Sequence, residues 1–489
     1  MKLLSKKLAL ILSGLLIVLL VSHCNSSSNS LPAAKSPADP NVVAQIGQYV
    51  ITKEQLQQKL LQEIYPNPYN YTAEEPTLPD VKSTLKEMIA EKAMIIEARK
   101  QGYLEDEAVK AAVKRYEDRS LINMLVQNYL NDMKDKITAT DAEIEQRMQA
   151  DPNEGRARVK AIIENAKARK IVSEYYKQLC EKFHIKKLSE NFPKVIQIHE
   201  RLLNHPKTPQ KIKYIRNSQI KDELTPEEKS IVLATFDYGQ VTLEDWFNTL
   251  CEFSPPSRPK NLNTTQGVEQ MLDRALMIPI YVAEAKLQNL DKNETFLKQL
   301  KEYEDTRLLS KVRSDKYKLV KEPTEEEILT YFNNHKEAFR TGRFMKIDQI
   351  WCENLETAKK VKDEIDKGKD FEAAKQEYSL TKNSKASNVY PATEGLFWND
   401  LWKAEPNDIV GPIKGFYNRQ IKWRIVKILE KKPGEIKEYS KDMDNRIKNA
   451  IISERREAII TEYGRELLKK YKYKIYTERI KNIDPLDIQ

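Results

Sequence analysis

The sequence is 489 residues long, enough for two to four domains. Glycine is scarce, at 13 residues, and 32% of the chain is charged, which favours long solvated helices over a sandwich or a barrel. The formal charge of +9 is spread over 82 basic and 73 acidic residues without a long basic run, so the surface reads as mixed-sign helix faces and argues against nucleic acid as a partner.

Residues 1–24 have the layout of a secretory signal peptide: Lys2, Lys6 and Lys7 precede a mostly apolar run from Leu8 to Val21, which is short for a spanning helix. The run ends at Val21-Ser22-His23-Cys24, which resembles a lipobox, the motif whose Cys becomes the lipidated first residue of a bacterial lipoprotein. His23 stands where that motif has Gly, Ala or Ser. The resemblance makes Cys24 the lipidation site and implies an exported body tethered to a membrane, facing the periplasm or outer envelope; an uncleaved membrane anchor is the alternative. Residues 25–41, rich in Ser, Pro and Asn, read as a flexible tether.

From there the chain repeats itself. Val43-Ala44-Gln45-Ile46, a Gly47-Gln48 turn and Val50-Ile51-Thr52 are matched by Leu233-Ala234-Thr235-Phe236, Asp237-Tyr238-Gly239 and Val241-Thr242-Leu243. In register behind them, Glu97-Ala98-Arg99-Lys100-Gln101 is matched by Glu284-Ala285-Lys286-Leu287-Gln288, and Tyr116-Glu117-Asp118 by Tyr303-Glu304-Asp305. A repeat unit this long is a folded module used twice. Each copy opens with a short hairpin about a Gly turn. Thr52 then has Gln55 three residues on, the spacing of a capping box, and Leu56, Leu60 and Leu61 supply a buried stripe. A Pro-rich loop follows in both copies, Tyr65-Pro66-Asn67-Pro68-Tyr69 and Ser254 to Pro259. Two longer helices come next, the second copy's first carrying Pro279, and the others spanning 105–133 and 292–319. Thr140 with Glu143, and Thr324 with Glu327, are further capping boxes.

The copies then diverge. In the first (42–190) a basic amphipathic helix, about 158–183, follows almost at once; in the second (231–340) roughly a hundred residues intervene before a comparable helix in 434–489. This predicts two helical modules, each closed by its own C-terminal helix, joined by a helical linker over 191–230, with a separate domain at 341–433 inserted in the second. Cys180, Cys251 and Cys352 are scattered, and no histidine falls in a ligand pattern, so neither a disulfide framework nor a metal site is expected.

The repeat unit resembles the SurA/PrsA family of exported chaperones: an Ala-x-Val-x-Gly-x-x-Ile-Thr hairpin, a helical bundle, a parvulin (peptidyl-prolyl isomerase, or rotamase) domain and a long closing helix. The stronger match is the insert. Leu355-Glu356-Thr357-Ala358-Lys359-Lys360-Val361, Gly368-Lys369-Asp370-Phe371-Glu372-Ala373-Ala374-Lys375 and Tyr378-Ser379 resemble the first half of a parvulin domain, and Pro406 to Ile413 with Trp423 to Ile428 its closing strands. The resemblance runs from about Val42 to Ile475 and omits the linker. It implies a mainly α fold with small β elements: two SurA-N-like helical modules, the second carrying an inserted α+β domain. Active parvulins have two core histidines; here their places fall at Gln349 and Arg424, and no histidine lies between Phe344 and Pro433.

Two functions follow from the resemblance. One is an ATP-independent chaperone for unfolded exported or outer-membrane polypeptides, with a degenerate parvulin domain. The other is a working peptidyl-prolyl cis-trans isomerase. A tethered structural lipoprotein is a third reading that leaves the duplication unexplained. No phosphate-cradling Gly loop is present, so no nucleotide and no cofactor is expected. Candidate peptide-binding residues are Trp246, Phe247, Trp351, Phe397, Trp402 and Trp423, with Tyr65, Tyr69 and Trp398; ordinary core packing is the alternative for each.

Overall fold

The computed structural model describes residues 38–66, 76–150, 154–204 and 214–487. Residues 1–24 with Cys24, most of the tether 25–41, and Tyr69 lie outside the described residues. The chain is mostly helical with small sheets, and forms two compact units. Among the described residues, one comprises 110–304; the other joins 38–109 to those from 305 onward. The inner unit thus interrupts the sequence of the outer one. No helix of the described residues is long and apolar enough to cross a membrane.

Each hairpin forms as the repeat predicts. Strands β1 (Val42–Ile46) and β2 (Tyr49–Thr52) pair antiparallel about Gly47, whose φ of +53° suits a residue without Cβ. Thr52 then caps the helix Lys53–Ile64: its hydroxyl accepts from the Gln55 N–H while the Gln55 side chain accepts from the Thr52 N–H. Leu56, Leu60 and Ile64 are the buried stripe, and Leu61 is only half-buried. The helix Val81–Lys100 buries Leu85, Ile89 and Ile95, and leads to the helix Glu107–Asp132. After the helix Arg156–Lys182 comes β3 (Lys186–Lys187), then β4 (Val232–Phe236) and β5 (Gly239–Thr242), with Thr242 and Asp245 forming the second copy's capping box. The helix Thr265–Leu287 runs on through Pro279.

The segment expected as a linker is instead part of the inner unit's core. In the helix Phe192–Leu203, Val195, Ile198 and Leu202 lie on one face and are buried, and Ile215 and Ile220 join them against Trp246 and Phe247. It has no counterpart in the repeat, so the repeat gave no sign of its packing.

The closing elements also differ from expectation. Lys186 and Lys187 of β3 pair with Thr235 and Ala234 of β4, so the first copy's long helix closes the second copy's hairpin. Beyond the second copy lie β6 (Arg340–Thr341), β7 (Phe344–Cys352), β8 (Ser387–Val389), β9 (Ile409–Tyr417), β10 (Gln420–Lys432), β11 (Glu435–Ile436), the helix Asp444–Lys470 and β12 (Tyr473–Ile475). It is β12 that pairs with β1, Ile475 opposite Ala44 and Tyr473 opposite Ile46. Residues 434–489 therefore close the first module's hairpin and not the second's. Ala44 and Ala234 are equivalent in the repeat, so the two third strands dock in one register.

The same clamp holds both closures. In the outer unit the buried Glu97 carboxylate accepts from Lys470 Nζ and the Tyr471 hydroxyl, each at 2.6 Å, and from Gln101 at 2.9 Å. In the inner unit its repeat equivalent Glu284 accepts from Lys182 Nζ at 2.6 Å and from Gln288 at 2.9 Å. A buried carboxylate needs such partners to remain charged.

The inserted domain is a four-stranded antiparallel sheet in the order β8-β7-β10-β9. Side chains alternate faces along a strand. Ile350 and Cys352 of β7 and Ile425 of β10 pack under the helices Leu355–Asp366 and Phe371–Tyr378. Met345 and Ile347 of β7 with Val426 and Ile428 of β10 face the other way, against Trp398 and Leu401.

Candidate peptide-binding site

That second face changes character one pleat further along. After Met345 and Ile347 the strand β7 presents Gln349 and then Trp351, and next to them β10 presents Arg424, whose Cα partner across the ladder is Trp351. The two positions where the resemblance places histidines are in contact: Arg424 Nη1 donates to Gln349 Oε1 at 3.0 Å. Arg424 is 1% exposed. Its charge is met by Glu394, whose Oε2 accepts from Nη2 at 2.5 Å and which is itself buried. The guanidinium also lies over the Trp351 ring, 5.0 Å from its centroid. Arg424 Nε is buried without a hydrogen-bond partner.

Local sequence makes this arrangement possible. A Cβ at Gly415, on β9, would sit 2.4 Å from the Arg424 guanidinium, so only glycine leaves room for it. Glu394 is delivered by the one-turn helix Pro391–Glu394, and Gly395, with φ of +50°, turns the chain away beneath it. Phe397 then packs on Phe416, ring centroids 5.0 Å apart.

Chemically, the cluster is a neutralised ion pair with an amide beside it. It holds no imidazole: Gln349 and Arg424 stand where the resemblance places the two histidines. Cys352 is no substitute: it is buried, and burial pushes its thiol up to about 11, away from a reactive thiolate. No group of His, Cys, Asp and Glu among the described residues is arranged to hold a metal ion.

The candidate aromatics separate. Trp351 and Phe397 are both buried, Trp351 beneath the Arg424 guanidinium and Phe397 against Phe416. Trp402 is half-buried and stacks on Trp398 under Arg343, and Trp423 is half-buried on the helix-covered face beneath Lys414. Trp246 and Phe247 are fully buried in the inner unit and line no groove: the Trp246 indole donates to the Val268 carbonyl at 3.1 Å, and Phe247 stacks on His199, which burial drives down to about 4. Their position on the apolar face of the helix Leu243–Glu252 sends them into the core. Sequence reasoning missed Glu394 and Phe416. Nothing local distinguishes Glu394 from the chain's many surface acids; the only signal is a buried Arg424, which calls for an acid somewhere.

Residues 323–441 match the family model of the PPIC-type PPIase domain. Among solved structures, a SurA-like chaperone of Campylobacter jejuni is similar at 17% identity, covering 47% of this chain and 92% of that one, with a TM-score of 0.23. PrsA from Bacillus cereus is similar at 19% identity, covering 52% and 97%, TM-score 0.22. The foldase protein PrsA from Streptococcus pneumoniae is similar at 18% identity, covering 41% and 77%, TM-score 0.24. No curated protein matches the sequence. By the match over residues 323–441, the chain carries a PPIC-type PPIase domain.

Proposed function

We propose that the chain is an ATP-independent chaperone of the cell envelope that binds unfolded exported polypeptides, and that its PPIC-type domain serves as a binding surface and not as a catalyst. The observation that carries this reading is the cluster of Gln349, Arg424 and Glu394. Turning an X-Pro bond means lowering a barrier of about 18–20 kcal/mol in the peptide torsion. A face that does so must accommodate an apolar proline ring and a carbonyl losing its amide resonance. Here the centre of that face is filled by a guanidinium and a carboxylate already satisfied by one another. The duplicated hairpin-and-helix module and the resemblance of both copies to exported chaperones support the binding role. Export and anchoring rest on the sequence of residues 1–41 alone, with Cys24 as the lipidated residue.

The test sets two assays on one preparation. Light scattering would follow aggregation of a chemically unfolded exported protein with and without the chain, in the absence of nucleotide. Exchange spectroscopy on an X-Pro tetrapeptide would follow isomerisation. The expected result is suppressed aggregation with no isomerisation above the uncatalysed rate. Isomerisation at the speed of an active parvulin would overturn the reading in favour of the enzyme, which the match over 323–441 alone would favour.

A further inference from the structure

The PPIC-type domain's aromatic face is occupied by a proline segment of the same unit. The helix Lys53–Ile64 ends at Tyr65, whose φ of −66° and ψ of 127° put it in the extended conformation expected before a proline. The Tyr65 ring meets Phe416 edge to face, centroids 5.0 Å apart. Pro66 reaches Gly395: a Cβ built there would lie 3.5 Å from Pro66 Cβ, 3.9 Å from the Ile64 carbonyl oxygen and 3.4 Å from the Phe416 ring. Gly395 follows Glu394, the acid on Arg424. Tyr65 in extended conformation therefore meets Phe416, and Pro66 lies against Gly395, one residue from the Gln349–Arg424–Glu394 cluster. Recognition of extended proline-containing segments beside aromatic side chains is a recurring mode of peptide binding. The hold is light: Tyr65 remains 36% exposed.

We propose that Tyr65-Pro66 is an internal ligand of the PPIC-type domain, which covers its polypeptide-binding face and is displaced by an aromatic-proline segment of a client. The inference rests on the reading of that face as a binding surface. An occupant of this kind lowers the apparent affinity for an outside peptide by the fraction of molecules in which the face is open. Gly395 is the residue that makes room for it.

The probe is dansyl-Ile-Tyr-Pro-Ala amide, titrated by fluorescence anisotropy into the full chain, the double variant Y65A/P66A and the variant F416A. The expected result is binding on the order of tenfold tighter to Y65A/P66A than to the unaltered chain, with F416A losing it. In the unaltered chain, saturating peptide is expected to speed hydrogen exchange at the Tyr65 amide, which donates to the Leu61 carbonyl at 2.9 Å. Equal affinity of the unaltered chain and Y65A/P66A, absence of binding to both, or peptide binding that leaves exchange at Tyr65 unchanged would each overturn the inference. Its failure is separable from that of the chaperone reading: suppression of aggregation without a gain in Y65A/P66A sinks this inference alone, and a gain without suppression sinks only the chaperone reading.

Discussion

Arg424 and Glu394 lie in the interior of a small domain, and their energetics are lopsided. Bringing two charges out of water costs several kcal/mol for each, which their attraction in the interior offsets only while both are present. Removing one leaves the other buried without a counter-charge. Glu394→Ala is expected to destabilise the domain by about 3–5 kcal/mol, whereas Arg424→Met combined with Glu394→Leu is expected to be far milder. Urea unfolding followed by tryptophan fluorescence would read both, since Trp351 lies against the guanidinium; a double variant as damaged as the single one would contradict the pairing. Gln349 and Arg424 could be named together from the sequence because the resemblance places two core histidines at these positions. Glu394 could not, because the demand for it comes from Arg424, thirty residues further along the chain.

At the scale of elements, the clamp on Glu97 is titratable. Its carboxyl is held down to about 2, first by the hydrogen bond from Lys470 and then by that from Tyr471. The folded group thus loses its charge later than an ordinary carboxyl at 4.5. Its stabilisation is complete above about pH 4.5 and disappears as pH falls toward 2. Lys470 is half in water, so screening limits the effect to on the order of 1–2 kcal/mol. Glu97→Gln is expected to weaken the outer unit by that amount at pH 7 and by nothing near pH 2; equal losses at both pH values would show that packing and not charge fixes the closing helix. Local signals made much of this level legible. Thr52 with Gln55 and Thr324 with Glu327 form the expected boxes because a cap is decided within four residues. The partner of a closing helix is decided across hundreds of residues, and a repeat reveals which segments are alike without revealing which ones meet.

For the whole molecule, nesting sets what a truncation does. A chain ending at residue 472 lacks β12 along with Ile480 and Ile483, which belong to the outer core. Hydrogen exchange is expected to show the β1–β2 amides losing protection while β4–β5, closed by β3, keep theirs. Had each module closed on its own helix, the reverse would be seen. The helical fold and the inserted domain could be read from composition, repeat and motif, because each is specified locally. The nesting could not, since both hairpins offer the same open edge and both long helices end in a strand that fits it.

The pairing of β1 with β12 joins residues about 430 positions apart, from Ala44 to Ile475. A ribosome releases this polypeptide from its first residue to its last. By the time Glu304 has emerged, every strand of the β3-β4-β5 sheet is available, and that sheet can form at once. The β1–β2 hairpin has no such companion and must wait, one backbone edge bare, until residues 473–475 have been made. A molecule we read as guarding unfinished chains is, from the making of β2 to that of β12, an unfinished chain with an exposed sheet edge of its own.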